Sequence, residues 1–230
     1  MLRAIIFDFN GVILNDEPLH FLAMQKAVAT AGINLDRQEY WDKYLPFDDW
    51  RCLDAICRDH AAQLTQQERE ALLAFKSLNY AHLLEDSYPL FPGVADFVVR
   101  AASRYPLAIA TGARREEVES TLAATGLADH FLVIVAAQDF KRGKPHPESF
   151  LFALECLNRR LNGRSPKIAP AECLVIEDSI GGIQGARDAG MACLAVANTY
   201  PREKLAYASR VAGSLAEVDV ESLAGLLEGP

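Results

Sequence analysis

Short apolar runs that stop at polar residues recur along the chain, separated by stretches with helical spacing. Ala4–Asp8 is predicted as a strand whose carboxyl end carries Asp8. Further strands are predicted at Leu107–Thr111, Leu132–Ala136, Leu174–Asp178 and Ala192–Val196, with Arg210–Val211 as a short outer strand. Between them lie helix patterns at Val94–Arg104, Arg115–Thr125, Glu148–Leu161, Ile180–Ala189 and Val220–Leu227. Phe150, Leu154, Leu157 and Leu161 fall on one face of the third of these. Strands that alternate with helices predict a parallel sheet covered on both faces.

The stretch from Asn15 to Ser87 breaks this rhythm, because it contains no convincing strand. A helix is predicted over Glu17–Ala31, with Asp16 at its N-cap and Pro18 in its first turn. Asp36-Arg37-Gln38-Glu39 and Thr65-Gln66-Gln67-Glu68 both read as capping boxes that open helices. Asp48–His60 supports another helix. The predicted organisation is a doubly wound, Rossmann-like α/β core with a mainly parallel sheet (residues 1–14 and 88–230) and an inserted all-helical cap (residues 15–87). The hinges are expected near residues 15–17 and 86–92. Within the insert, Trp41, Tyr44 and Trp50 are expected in the core. Lys76 and Tyr80, one turn apart, are expected on a solvated helix face.

Length and composition fit this division. The chain has 230 residues, half of them apolar, enough for one large domain or one domain plus an insert. The formal net charge of -8 argues against a general nucleic-acid or anionic-membrane surface, so neither partner is expected. No apolar run approaches a membrane span, and Met1 leads directly into a strand. The five cysteines form no CxxC pair and sit mostly in apolar surroundings, which predicts reduced, buried thiols and a cytoplasmic protein.

Four polar clusters fall at strand ends or in the loops that follow. The first is Asp8 with Asn10, at the edge of an α/β sheet where ligands bind. The second is Thr111-Gly112-Ala113-Arg114, a hydroxyl and backbone N–H groups ahead of a helix, suited to an anion. The third is Lys144, fixed in a proline-flanked loop, Lys144-Pro145-His146-Pro147. The fourth is Glu177-Asp178-Ser179. Two adjacent acids at the end of a buried strand are costly unless paired or metal-bound, and oxygen ligands of this kind suit Mg²⁺.

In their order and spacing, Asp8-x-Asn10-Gly11-Val12, the Thr111 cluster, Lys144-Pro145-x-Pro147 and Glu177-Asp178-Ser179-x-x-Gly182 resemble the haloacid dehalogenase superfamily. The branch with a helical cap after the first motif fits best, near the β-phosphoglucomutases and small phosphomonoester phosphatases. The resemblance implies a Mg²⁺-dependent phosphohydrolase acting on a small phosphorylated metabolite, as a monomer or homodimer. It implies Asp8 as the nucleophile that becomes an aspartyl phosphate. Mg²⁺ would be held by Asp8, the backbone carbonyl of Asn10, Asp178 and, directly or through water, Glu177. Thr111, Gly112, Ala113, Arg114 and Lys144 would hold the phosphoryl group. His20 matches a cap histidine of the mutases and related phosphatases.

The chain departs from the family pattern at two places. Phosphatases and mutases normally carry a second Asp where this chain has Asn10. That Asp protonates the leaving oxygen and later activates the attacking water, and a carboxamide cannot shuttle this proton, a contribution typically worth about 10²–10⁴-fold. The cap arginine that grips a second phosphate in the mutases has no match, since Leu45-Pro46-Phe47-Asp48-Asp49-Trp50 stands there and two aspartates would repel an anion. Two alternatives to the phosphohydrolase stay open on sequence: a sugar-phosphate mutase and a catalytically silent binding relative.

Overall fold

The computed structural model describes residues 1–45, 47–161 and 166–227, without the side chains of residues 85 and 86. Strand β1 (Ala4–Phe7) is followed by helices α1 (Glu17–Ala29), α2 (Arg37–Glu39), α3 (Asp49–Asp59) and α4 (Gln66–Asp86). Then come α5 (Val94–Ala102), β2 (Leu107–Ala110), α6 (Arg115–Ala124), β3 (Phe131–Val135), α7 (Glu148–Arg160), β4 (Cys173–Glu177), α8 (Ile180–Asp188), β5 (Ala192–Val196) and β6 (Arg210–Ala212). The chain divides into two compact units, one of Met1–Asn15 with Pro89–Pro230 and one of Asp16–Tyr88. Among the described residues no helix is long and apolar enough to cross a membrane.

In the first unit all six strands join one parallel sheet in the order β3-β2-β1-β4-β5-β6. The central strands β1, β2 and β4 are buried along their whole length, which is why they read as unbroken apolar runs. The outer strand β3 has both buried and exposed positions. After β1 the chain builds β2 and β3 on one side, then returns to place β4 on the other. The strand order therefore switches direction between β1 and β4, and the crevice at the carboxyl ends of these strands is the ligand position of open α/β sheets. The register is tight there: Phe7 lies opposite Ile176 of β4 and Ile109 of β2.

Four strands stop one residue earlier than expected, the outer strand β3 among them at Val135. Asp8, Thr111 and Asp178 are each the first residue beyond a strand, so all three polar groups leave the ladder at the same edge. The segment Val220–Leu227 also differs, forming a 3₁₀ helix rather than an α-helix. Asp219 starts it with a carbonyl that accepts from Ser222 N at 3.1 Å, the i→i+3 pattern of the tighter helix.

The second unit has its own apolar core, in which Phe21, Met24 and Val28 of α1 meet Leu53 and Ile56 of α3 and Leu72 of α4. The Thr65 capping box is present, with Glu68 N donating to Thr65 Oγ1 and Thr65 N donating to Glu68 Oε2. The Asp36 box is not. Asp36 accepts from Gln38 N and Glu39 N, but the Glu39 carboxylate turns to Lys43, Tyr44 and His60 instead of back to Asp36. The helix that follows is accordingly short and passes into a π-helical turn at Tyr40–Tyr44.

Three further expectations for this unit are corrected. Asp16 stands at the N-cap of α1 with helical backbone angles and caps nothing, because its carboxylate accepts from Tyr80 Oη at 2.8 Å and meets His20 Nε2 at 3.1 Å. Lys76 and Tyr80 are buried rather than solvated. Lys76 is only 2 % exposed, and its ammonium donates to both oxygens of Asp49 and to His20 Nδ1 at 2.7–2.9 Å. Buried charge of this kind is tolerated because it is fully paired. Tyr44 is buried and Trp41 partly so, but Trp50, one turn before the buried run of α3, stays 43 % exposed. Pro46 of the same stretch lies outside the described residues. Cys52, Cys57, Cys173 and Cys193 are buried and Cys156 is half-buried, all as free thiols.

Candidate active site

The acidic ends of β1 and β4 meet because the two strands pair in register. Asp8 N donates to Ile176 O at 2.9 Å, so the residues after Phe7 and Ile176 leave the sheet side by side. Asp8, Glu177 and Asp178 can each offer a carboxylate oxygen, and these oxygens lie within 4.8 Å of one another. Lys144 reaches them from the loop before α7. Its ammonium lies 2.8 Å from Asp8 Oδ1 and 2.7 Å from Glu177 Oε1. The peptide bond between Lys144 and Pro145 is cis.

Two glycines let the acids pack this closely. Gly11, at φ +77°, lies under Asp178, where an added Cβ would stand 2.1 Å from Oδ2. Gly182, in the first turn of α8, lies against Glu177, where a Cβ would stand 1.7 Å from Oε1. No side chain fits at either position without displacing a carboxylate.

The three carboxyls are not equivalent. Glu177 is fully engaged: Oε1 takes the Lys144 ammonium, and Oε2 accepts from Asp178 N, Ser179 N and Ser179 Oγ at 2.7–2.9 Å. Burial opposes its charge, yet Lys144 and the Ser179 donors outweigh burial and hold it below the ordinary glutamate value. Asp8 goes the other way. Burial pushes it from 3.8 to about 6, against the attraction of Lys144. Asp178 is raised well above the ordinary value, first by burial and then by the charges of Glu177 and Asp8. Lys144 is held more firmly protonated than usual, because Asp8 and Glu177 together exceed the cost of burial.

These opposed shifts fit a divalent cation. Asp8 and Asp178 are oxygen donors whose charge the protein alone does not balance, and a hard cation with carboxylate ligands would balance it. The shifts also set a pH dependence. The folded protein keeps a proton on Asp8 that the unfolded chain releases above pH 3.8, so its stability falls as pH rises through about 6, and Asp178, also raised, acts in the same sense. Glu177 works in the opposite sense, but its effect is spent below its ordinary value of 4.5. Excess Mg²⁺ is therefore expected to raise the melting temperature little at pH 5 and clearly at pH 7.5, as read by thermal melts with and without the ion. Equal gains at both pH values would contradict this account of the acidic cluster.

The remaining candidates are distributed as follows. Asn10 Nδ2 donates to Glu117 Oε1 at 3.1 Å, in the first turn of α6. Thr111 is buried at the end of β2, and its Oγ1 accepts from Ala113 N at 3.1 Å. That N–H is thus directed onto Thr111. Gly112 and Arg114 are exposed and Ala113 is half-buried. His20 belongs to the helical unit. Lys76 has only donors, so His20 Nδ1 is the acceptor and Nε2 carries the hydrogen toward Asp16. Its ring stacks on Tyr80 at 4.2 Å.

A family model, haloacid dehalogenase-like hydrolase, matches residues 2–190. The chain belongs to the haloacid dehalogenase-like hydrolases. The fructose-1-phosphate phosphatase YqaB of Escherichia coli is 32% identical over 188 residues, which span 82% of this chain and 93% of that one. A solved β-phosphoglucomutase from Clostridium difficile superposes with a TM-score of 0.77 at 25% identity, covering 99% of this chain and 98% of that one. An Asp-to-Asn variant of CbbY from Rhodobacter sphaeroides, solved in complex with xylulose-(1,5)bisphosphate, gives a TM-score of 0.74 at 27% identity, over 94% and 96% of the two chains.

Within this haloacid dehalogenase-like site, sequence reasoning missed Glu117, Asn198 and Thr199. Glu117 carries no local signal, since an acid in the first turn of a helix is ordinary. Asn198 and Thr199 are the second and third residues after the apolar strand β5. The rule that singled out Asp8, polar groups just after a buried strand, applies to them as well.

Proposed function

We propose that the protein is a Mg²⁺-dependent phosphatase of small sugar phosphates that works through an aspartyl phosphate on Asp8. The observation that carries this reading is the cluster at the strand switch: one aspartate paired to a half-buried lysine and two further acids beside it. Asp8 attacks phosphorus, the P–O bond to the sugar breaks as the leaving oxygen takes a proton from water, and a second water then releases phosphate and restores the carboxylate. Asp8 and Asp178, with the backbone carbonyl of Asn10, would hold the metal. Bound there, Mg²⁺ supplies charge neutralisation toward an anionic substrate. Glu177 anchors Lys144, and Lys144 stabilises negative charge beside Asp8. Thr111, at the neighbouring strand end, and the residues after it bind the transferring group. The relatives, among them a fructose-1-phosphate phosphatase, support sugar phosphates as the substrate class.

A phosphatase is favoured over a mutase by the state of Lys76. Its ammonium is occupied by Asp49 and His20 and has no donor left for a second phosphate. Phosphate release from a panel of sugar monophosphates and one aryl phosphate, with Mg²⁺, tests the reading. Free phosphate is expected from both classes. Sugar esters should be slow, by about 10²–10⁴-fold relative to a site with a carboxylate at position 10, while an aryl ester, which needs no leaving-group proton, is spared that loss in the first step and shares only the slower water attack on the aspartyl phosphate. Release from neither class would overturn the proposal, and isomerised sugar phosphate without free phosphate would favour the mutase.

The Glu117 contact decides how position 10 responds to change. Asn10→Asp alone would set two carboxylates at the place of the present 3.1 Å amide–carboxylate bond. Asn10→Asp combined with Glu117→Gln keeps the bond and exchanges the roles. The double variant is expected to release phosphate from sugar esters about tenfold faster than Asn10→Asp alone, a difference of about 1.4 kcal/mol in the barrier. Equal rates would show that Glu117 does not govern this position.

A further inference from the structure

The chain after β5 crosses the end of β4 to touch the turn after β1. In the sheet, β5 neighbours β4 and is separated by it from β1. Even so, Asn198 Nδ2 donates to Gly11 O at 2.8 Å, in the turn that follows Asp8. The next residue, Thr199, donates its Oγ1 hydrogen to Asp178 Oδ2. Ala197 N is bonded to Ala212 O of β6 at 2.9 Å, so the segment is tied to the sheet immediately before it reaches over.

These contacts join the two halves of the acidic site. Gly11 already lies against the Asp178 carboxylate, with no room for a Cβ between them. Its turn closes on itself through Gly11 N to Leu14 O at 3.0 Å and Ile13 N to Phe9 O at 2.7 Å. Asn198 holds that turn and Thr199 holds the carboxylate facing it. The Gly11 carbonyl only accepts, so the Asn198 group facing it is the NH₂, and Thr199 supplies the hydrogen to the ionised Asp178 carboxylate. Because the two contacts come from consecutive residues, neither half of the site can shift without breaking a bond to the other.

We propose that Asn198 and Thr199 are positioning residues for the divalent cation, fixing the Asp178 carboxylate and the Asp8–Gly11 turn in a ligand-ready arrangement. The inference rests on the metal-dependent reading above. Partners that orient a ligand carboxylate in this way typically contribute about 10–100-fold in metal affinity.

The test is Mg²⁺ binding to the full chain by titration calorimetry, with melting temperature and phosphate release measured alongside. Thr199→Val keeps the shape and removes the hydrogen-bond donor. It is expected to weaken Mg²⁺ binding about 10–100-fold. Its phosphate release should fall at limiting Mg²⁺ and return toward the parent rate when the ion is in excess. Thr199→Ser retains the donor and is expected to bind like the parent. Asn198→Asp, which turns an acceptor against the Gly11 carbonyl, gives a second variant that is expected to bind more weakly than the parent. If the parent binds Mg²⁺ and Thr199→Val binds it equally well, this inference fails alone. If the parent itself binds none, the metal-dependent reading fails and takes the inference with it.

Discussion

Phosphate release from sugar phosphates is expected to vanish in Asp8→Ala while the fold stays intact. The two halves of this expectation have different physical origins. Activity is lost because no other described carboxylate can take the place of Asp8: Glu177 is bound by four donors, and Asp178 packs against Gly11 and takes the Thr199 hydroxyl. Stability is kept because Asp8 is held in its charged form against its preference. Burial has moved its pKa to about 6, and Glu177 adds repulsion. Removing it leaves Lys144 paired to Glu177 at 2.7 Å, with one fewer like charge nearby. At pH 7.5 without metal, the melting temperature of Asp8→Ala is expected to equal or exceed that of the parent. A variant that melts normally and still releases phosphate at a comparable rate would exclude Asp8 as the nucleophile.

Lys144→Met is expected to do the reverse, reducing stability as well as activity. The lysine is the one cation that touches both Asp8 and Glu177 among the described residues. Without it, three carboxyls remain within 4.8 Å, with only neutral donors such as Ser179 and Thr199 to offset their charge. Removing one partner from a buried ionic cluster typically costs about 3–5 kcal/mol. In a chain of this size that corresponds to a fall in melting temperature of roughly 6–20 °C. The loss should be larger at pH 7.5 than at pH 5, where Asp8, raised to about 6, takes up a proton and relieves the repulsion. Melts at the two pH values check this. A variant as stable as the parent at pH 7.5 would mean that Lys144 is not what balances the cluster.

The parts of this protein that were legible in sequence share one property: their signal is local. An apolar run ending in an acid marks a buried strand with a polar tip, and Asp8 and Glu177-Asp178 are found in this way at the ends of adjacent strands. Thr65-Gln66-Gln67-Glu68 closes its box within four residues. Lys76 is the counterexample. A lysine on a long polar helix reads as solvated, and its burial follows from partners at positions 20 and 49 that periodicity does not link to it. The Asp36 box fails in part for the same reason, because Glu39 turns to the distant His60 as well as to its neighbours Lys43 and Tyr44. Glu117 is bonded to Asn10 across more than one hundred residues of chain. Spacing therefore gives the frame and the acidic tips, whereas the pairing that tunes each charge depends on contacts only the folded chain creates.

The helical insert leaves and rejoins the sheet-bearing unit through a single narrow gate. Leu14 and Leu90 form an antiparallel bridge, Asn15 N donates to Pro89 O at 2.7 Å, and Phe91 N donates to Ile13 O at 3.1 Å. The two chain crossings are thus stapled together by the sheet-bearing unit's own backbone, at the spacing of a β-hairpin. A two-residue turn of the Asn-Gly type would suffice to join Asn15 directly to Pro89. In evolutionary terms the insert is a cassette: it can be lengthened, exchanged or removed at this gate while the strands that carry Asp8 and Asp178 keep their register. Catalytic chemistry and the inserted helices are then free to diversify at separate rates along one chain.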